Sequence, residues 1–226
     1  MHIEPGVVGG AKLALGYVTA AGGFLYAAKL ALHAMKVDGS AALAVRSVLA
    51  TGLVFSFFQI LPHYPVGVSE VHLILGSTLF LIFGAGPAAI GLAMGLLLQG
   101  LFFAPADLPQ YGMNVTSLLV PLLAINALAR RVVPANTAYQ DLKYGQVLAL
   151  STAFQGGVVA WVAFWALYGS GLGADNLAQV LMFGAAYMSV IIIEPVLDLA
   201  ILATVKALHR LQDSGIFHSR LYRAVD

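Results

Sequence analysis

The sequence predicts an all-α membrane protein of about seven transmembrane helices, with the N-terminus outside and the C-terminus cytoplasmic. Three observations predict it. Of 226 residues, 60% are hydrophobic and only 9% are charged, against about 25% charged in a soluble domain. Apolar runs recur along the whole chain, the pattern of a polytopic protein. The few basic residues are also segregated along the chain, as the positive-inside rule demands. Eleven basic and ten acidic side chains are too few to cover a soluble surface of this size. No basic patch is interleaved with aromatics, which argues against nucleic acid as a partner. With no cysteine, disulfides, thiolate metal sites and Cys nucleophiles are excluded.

The start, Met1-His2-Ile3-Glu4-Pro5-Gly6, has no basic stretch, and no small-residue cleavage site follows a short apolar core. It does not read as a secretory signal, so the mature chain is expected to begin at Met1. The first helix is expected over about residues 8–35 and the second over 41–61. Gly84-Ala85-Gly86-Pro87 interrupts the next apolar stretch, giving a third helix over 71–83 and a fourth over 87–103. The fifth, sixth and seventh fall over 115–129, 144–168 and 177–205. A span needs about 20 apolar residues, with about 17 the lower end. The third and fifth are shorter; they borrow flanking loop residues or re-enter, so a count of six stays open. With seven spans and the N-terminus outside, the inner segments hold Lys36, Arg46, Arg130, Arg131, Lys143, Lys206, Arg210, Arg220 and Arg223. Lys29 snorkels from the inner end of the first helix, and only Lys12 lies towards the outside. The outer segments carry Glu4, Glu70, Asp107 and Asp175. No repeat and no Gly/Pro-rich linker divides the chain, so residues 1–226 read as one integral membrane domain with a cytoplasmic tail at 206–226. Gly91 with Gly95, Gly16 with Ala20, and Ala27 with Ala31 are small-residue pairs that serve either internal helix packing or the docking of a membrane partner.

On this topology His209 and His218 are in the tail, His33 is at the inner end of the first helix, and His2, His63 and His72 are all outside. His2 has particular chemistry. The terminal amine and the His2 amide nitrogen close a five-membered ring on a metal, and that amide with imidazole Nδ1 closes a six-membered one. A fourth nitrogen in the plane completes square-planar coordination, which suits Ni(II) and Cu(II); low-spin Co(II) also accepts it. Residues 1–7 therefore read as a chelating segment, and its affinity should fall in acid because imidazole and amine must lose protons to bind. A large second residue keeps Met1 from being removed. The fourth donor is His72, in Ser69-Glu70-Val71-His72-Leu73, or His63, in Pro62-His63-Tyr64-Pro65. Gln99 and Asn114 are uncharged polar groups that orient a metal ligand by hydrogen bonds or cap a helix. In the seventh helix Glu194 and Asp198 are four residues apart and share a face. Intramembrane acids are functional candidates; pairing with Lys29 or an inner basic residue is the alternative. Pro195 is expected to kink or loosen that helix.

Taken together, these residues resemble a family. Met1-His2-Ile3 followed by Gly6 is similar to the start of the cobalt/nickel substrate-binding components of energy-coupling factor transporters, the CbiM/NikM family. Ser69-Glu70-Val71-His72-Leu73 with Gly76 resembles its Ser/Thr-x-x-His-Leu-x-Gly segment, and Gln99 and Gly112-Met113-Asn114 resemble its later Gln and Gly-x-Asn positions. The likeness extends to about residue 205; the loop carrying His63, Tyr64 and Glu70 and the loop 104–111 depart from the pattern. The resemblance implies capture of Co(II) or Ni(II) as transported substrate. It implies a site of the Met1 amine, the His2 amide and imidazole, and His72, with the N-terminal segment folded back into the outer mouth. His63, Ser69, Glu70, Gln99 and Asn114 are the additional or supporting candidates. It also implies a bacterial or archaeal cell membrane, a coupling transmembrane subunit, cytoplasmic ATPase subunits and often a small auxiliary membrane protein. The chain has no G-x-x-x-x-G-K-[ST] with which to hydrolyse ATP itself. The rivals are a stand-alone permease with Glu194 and Asp198 in its path, and a membrane metalloenzyme in which Glu70 serves as acid or base, although no H-E-x-x-H spacing exists.

Overall fold

A computed structural model describes residues 3–211; Met1, His2 and residues 212–226, with His218, Arg220 and Arg223, lie outside the described residues. Seven α-helices form a bundle: α1 Leu13–Asp38, α2 Ser40–Gln59, α3 Gly76–Phe83, α4 Ala85–Phe102, α5 Tyr111–Val132, α6 Tyr144–Ser170 and α7 Ala174–Leu211. A two-stranded antiparallel hairpin, β1 Tyr64–Val66 and β2 Ser69–Val71, lies between α2 and α3. The seven-helix architecture matches the expectation, and six of the helical stretches are long and apolar enough to cross a membrane.

The third element is the main departure. Its helix starts at Gly76 instead of about residue 71, because residues 69–71 pair with β1 and Leu75 takes a left-handed conformation at φ 52°. Eight helical residues rise only about 12 Å. The chain nevertheless passes through the bundle here, as the directions of its neighbours require. A Cβ on Gly91 would lie 2.5 Å from the Ala50 Cβ, and one on Gly95 would lie 2.6 Å from Val54 Cγ1, so α2 and α4 run parallel. Two parallel helices need a return path between them, and the non-helical residues 72–75 followed by α3 supply it. Gly16 against Met113 and Gly23 against Leu119 show in the same way that α1 and α5 run parallel. The N-terminal segment and the far end of α7 are therefore at opposite ends of the bundle. The fifth helix is longer than expected, at 22 residues, and needs no re-entrant geometry.

The small-residue pairs are spent inside. Gly16, Ala20 and Ala27 are buried on α1, Gly86 meets the Leu30 and Ala31 backbone, and Gly91 and Gly95 seat α4 against α2. Without side chains at these positions the helix backbones approach closely enough for dense packing. The core between the helices is filled by Phe58, Leu92, Leu96, Leu118, Leu119, Phe154 and Trp165. α7 runs through Pro195 as one 38-residue helix.

Candidate metal centre

The N-terminal segment enters the bundle as an added extended stretch. Ile3 forms an antiparallel bridge with Ser69, and the Glu4 N–H donates to the Val68 carbonyl at 3.1 Å. The Ile3 N–H donates to Asn114 Oδ1 at 2.9 Å, and the Ile3 side chain is fully buried. An apolar anchor and paired backbone groups hold the segment from both sides. Further on, the Val7 carbonyl accepts from the Ser170 hydroxyl, and Lys12 Nζ donates to the Gly169 carbonyl at 2.8 Å. The hairpin that receives the segment turns at Gly67, whose φ of 62° suits a tight two-residue turn. A Cβ at Gly67 would lie 2.1 Å from the Gln179 carbonyl oxygen, so glycine is also required for contact with α7.

His72 follows β2 and is buried. Its Nε2 lies 2.8 Å from Glu70 Oε2. A carboxylate only accepts, so this nitrogen carries the proton and Nδ1 carries the lone pair. A carboxylate behind an imidazole fixes ring orientation and raises ligand basicity at metal sites. Phe58 and His72 meet edge to face at a centroid distance of 5.0 Å, and His63 lies nearly parallel to His72 at 4.9 Å and 12°. His63 Nδ1 lies 3.1 Å from the Leu61 carbonyl. Ser69 and Asn114 are buried beside the incoming segment. Gln99 is buried on α4, and its Oε1 has no hydrogen-bond partner among the described residues. Thus Asn114 and Ser69 both hold Ile3, and Glu70 and His63 both contact His72, whereas no hydrogen bond ties Gln99 to either group among the described residues. Met1 and His2, the expected chelating residues, lie outside the described residues. Burial, and then the nearby Glu70 and Asp107 carboxylates, push the Glu4 carboxyl above its ordinary range, so acidic groups gather at this mouth.

The intramembrane acids have a different setting. Glu194 is fully buried and accepts from the Ile74 N–H and from Gln155 Nε2; Gln155 Oε1 accepts from the Tyr187 hydroxyl at 2.8 Å. Asp198 accepts from the hydroxyls of Ser77 and Thr78. Neither acid forms an ion pair with Lys29 or any other base among the described residues. The two carboxylates hang the start of α3, with its left-handed Leu75, on α7. Gln155, Tyr187, Ser77 and Thr78 were missed from the sequence. A Gln in the middle of an apolar helix and a Ser-Thr pair at the head of another were the available signals.

A helical bundle that spans the membrane repeatedly, with a mouth of imidazole and carboxylate groups around an inserted N-terminal segment, defines a transporter-like class of membrane protein. The family described as the cobalt uptake substrate-specific transmembrane region (CbiM) matches residues 2–211, and this chain belongs to it. It is a multi-pass membrane component of metal uptake, in a family of transporters. Its fold is similar to that of a truncated transition metal transporter, with a TM-score of 0.67 at 17% identity over 95% of this chain and 99% of that one. A second transition metal transporter gives a TM-score of 0.65 at 19% identity over 99% of both chains. No curated protein matches the sequence.

Proposed function

We propose that this chain, as one domain over residues 1–226, is the metal-capturing subunit of an energy-coupling factor uptake transporter for Co(II) or Ni(II). The ion is bound at the outer mouth by the Met1 amine, the His2 amide and imidazole nitrogens, and His72 Nδ1. The observation that carries this reading is the double anchoring of Ile3 by Asn114 and Ser69. Ile3, the residue that follows the expected chelating pair, is thereby tied to the strand that leads into His72. Glu70 orients His72 from behind, while Asn114 and Ser69 hold the chelating segment; Gln99, buried on α4, is the remaining supporting candidate. Four nitrogens in one plane suit Ni(II) and low-spin Co(II). The N-terminus lies outside and the C-terminus in the cytoplasm of a bacterial or archaeal cell, in keeping with the distribution of Lys and Arg.

Glu194 and Asp198 already accept hydrogen bonds from α3 and α6, which disfavours them as the path of a stand-alone permease. A coupling transmembrane subunit, cytoplasmic ATPases and, in some assemblies, a small auxiliary membrane protein complete the transporter. The test is uptake of radioactive Ni(II) or Co(II) into cells expressing the chain with and without its ATPase and coupling partners. ATP-dependent uptake only in the full assembly is expected. Sustained accumulation by the chain alone contradicts the reading.

A further inference from the structure

His63 stands closest to His72 of all the imidazoles described, and two roles are open to it: a further nitrogen donor, or a ring that holds His72 in place. Its tautomer is compatible with the first role. A backbone carbonyl only accepts, so the 3.1 Å contact with Leu61 puts the proton on His63 Nδ1 and leaves the lone pair on Nε2.

The relative orientation of the rings decides between them. An imidazole lone pair lies in the plane of its own ring, and nitrogen-to-metal distances are about 2.0–2.1 Å. The two rings are within 12° of parallel, with centroids 4.9 Å apart. Coplanar rings at that separation would collide edge to edge, so one lies over the other in separate planes. An ion in the plane of His72 is then out of reach of the His63 lone pair. Among the described residues no group of three or more His, Cys, Asp or Glu side chains is placed to hold a metal. What the arrangement does provide is a clamp. Phe58 packs crosswise to the ring at 5.0 Å and 78°, Glu70 holds Nε2 at 2.8 Å, and His63 covers a face. Pro62 and Pro65 restrict the backbone on either side of His63.

We propose that His63 is a positioning residue that fixes the His72 ring by stacking on it and shielding it from water, and is not a ligand. This rests on the reading of His72 as a metal donor. An imidazole bound to a cation is electron-poor, and an offset aromatic neighbour at this distance favours that state. The ring, and not its nitrogens, carries the role.

The experiment is Ni(II) titration of the purified full chain, with its native N-terminus, comparing His63→Phe, His63→Ala and His72→Ala. The absorption spectrum of bound Ni(II) and a thermal unfolding curve are recorded for each. Since an aromatic pair contributes about 0.5–1.5 kcal/mol, His63→Ala should bind up to about tenfold more weakly. His63→Phe should stay within about threefold of the unmutated chain, because the stack survives. The Ni(II) spectrum should be unchanged in both, because the donor set is the same. Weakening by Phe equal to that by Ala, or an altered spectrum in either, makes His63 a donor and overturns the proposal. Full affinity in both removes any role for the ring and also overturns it. If His63→Ala fails to fold, His63→Phe and its spectrum decide alone. His72→Ala separates the two levels: retained tight binding there refutes the metal site itself, independently of what His63 does.

Discussion

The mouth and the acid pair are both polar islands in an apolar bundle, yet their hydrogen bonding is organised to different ends. Around Glu194 and Asp198 the donors come from the fold itself: a backbone N–H, a glutamine amide and two hydroxyls, contributed by α6 and by α3 with its lead-in. The carboxylates are absorbed in holding α3 to α7. At the mouth the polar groups act on other polar groups. Glu70 sets the His72 tautomer, His63 and Phe58 set its plane, and Asn114 and Ser69 fix the segment that follows His2. A charge inside a membrane is a reason to look for function, but a charge whose acceptor positions are filled by structural donors serves the scaffold. Function is better sought where side chains orient a lone pair that the fold itself does not need.

Breaking each island in turn should separate these roles. Glu194→Ala removes the acceptor for two buried donors, and hydrogen bonds to charged groups contribute about 1.5–3 kcal/mol each. The expected loss is about 3–5 kcal/mol of stability in detergent, seen as a lowered unfolding midpoint, while the folded fraction keeps Ni(II) affinity within about tenfold. A stable Glu194→Ala chain that fails in uptake would return the acid pair to the transport path. His72→Ala should do the opposite, with a small change in stability and more than about 100-fold weaker metal binding, since even supporting partners of ligands are worth about 10–100-fold. Asn114→Ala leaves the buried Ile3 N–H without its acceptor and frees the segment, so isothermal titration should show about tenfold weaker binding. The smallest effect belongs to Glu4. Its folded carboxyl titrates above 4.5, so its contribution to stability is present at low pH and is lost as pH rises through the raised value. Glu4→Gln should flatten that part of the stability–pH curve of the metal-free protein; an unchanged curve would show that Glu4 is not held partly buried beside Glu70 and Asp107.

Much of this was legible in the sequence. Hydropathy places the six long helices, because a membrane span is a local property of about 20 residues. The Ser69–Leu73 motif singles out His72, and the scarcity of polar residues leaves few competitors for the mouth. The hairpin was not legible. Pro62-His63-Tyr64-Pro65 reads as a rigid loop, and only the pairing of residues 64–66 with 69–71 turns its second half into a strand. The late start of α3 depends on Leu75 adopting a left-handed conformation while Glu194, 120 residues away, accepts the Ile74 N–H. The roles of Gln155 and Tyr187 are hidden for the same reason: each is a lone polar residue until α6 meets α7. The metal chelate was read from the chemistry of Met1 and His2 alone, and both lie outside the described residues.

The proposed site depends above all on the terminal amine of Met1 as a metal donor. The most direct measurement is equilibrium binding of Ni(II) and Co(II) to the purified chain with one residue added before Met1, beside the native chain. The added residue displaces the amine from chelating geometry without touching Ile3, Asn114 or His72. Loss of tight binding with an unchanged thermal unfolding curve is expected. Full affinity in the extended chain would contradict it.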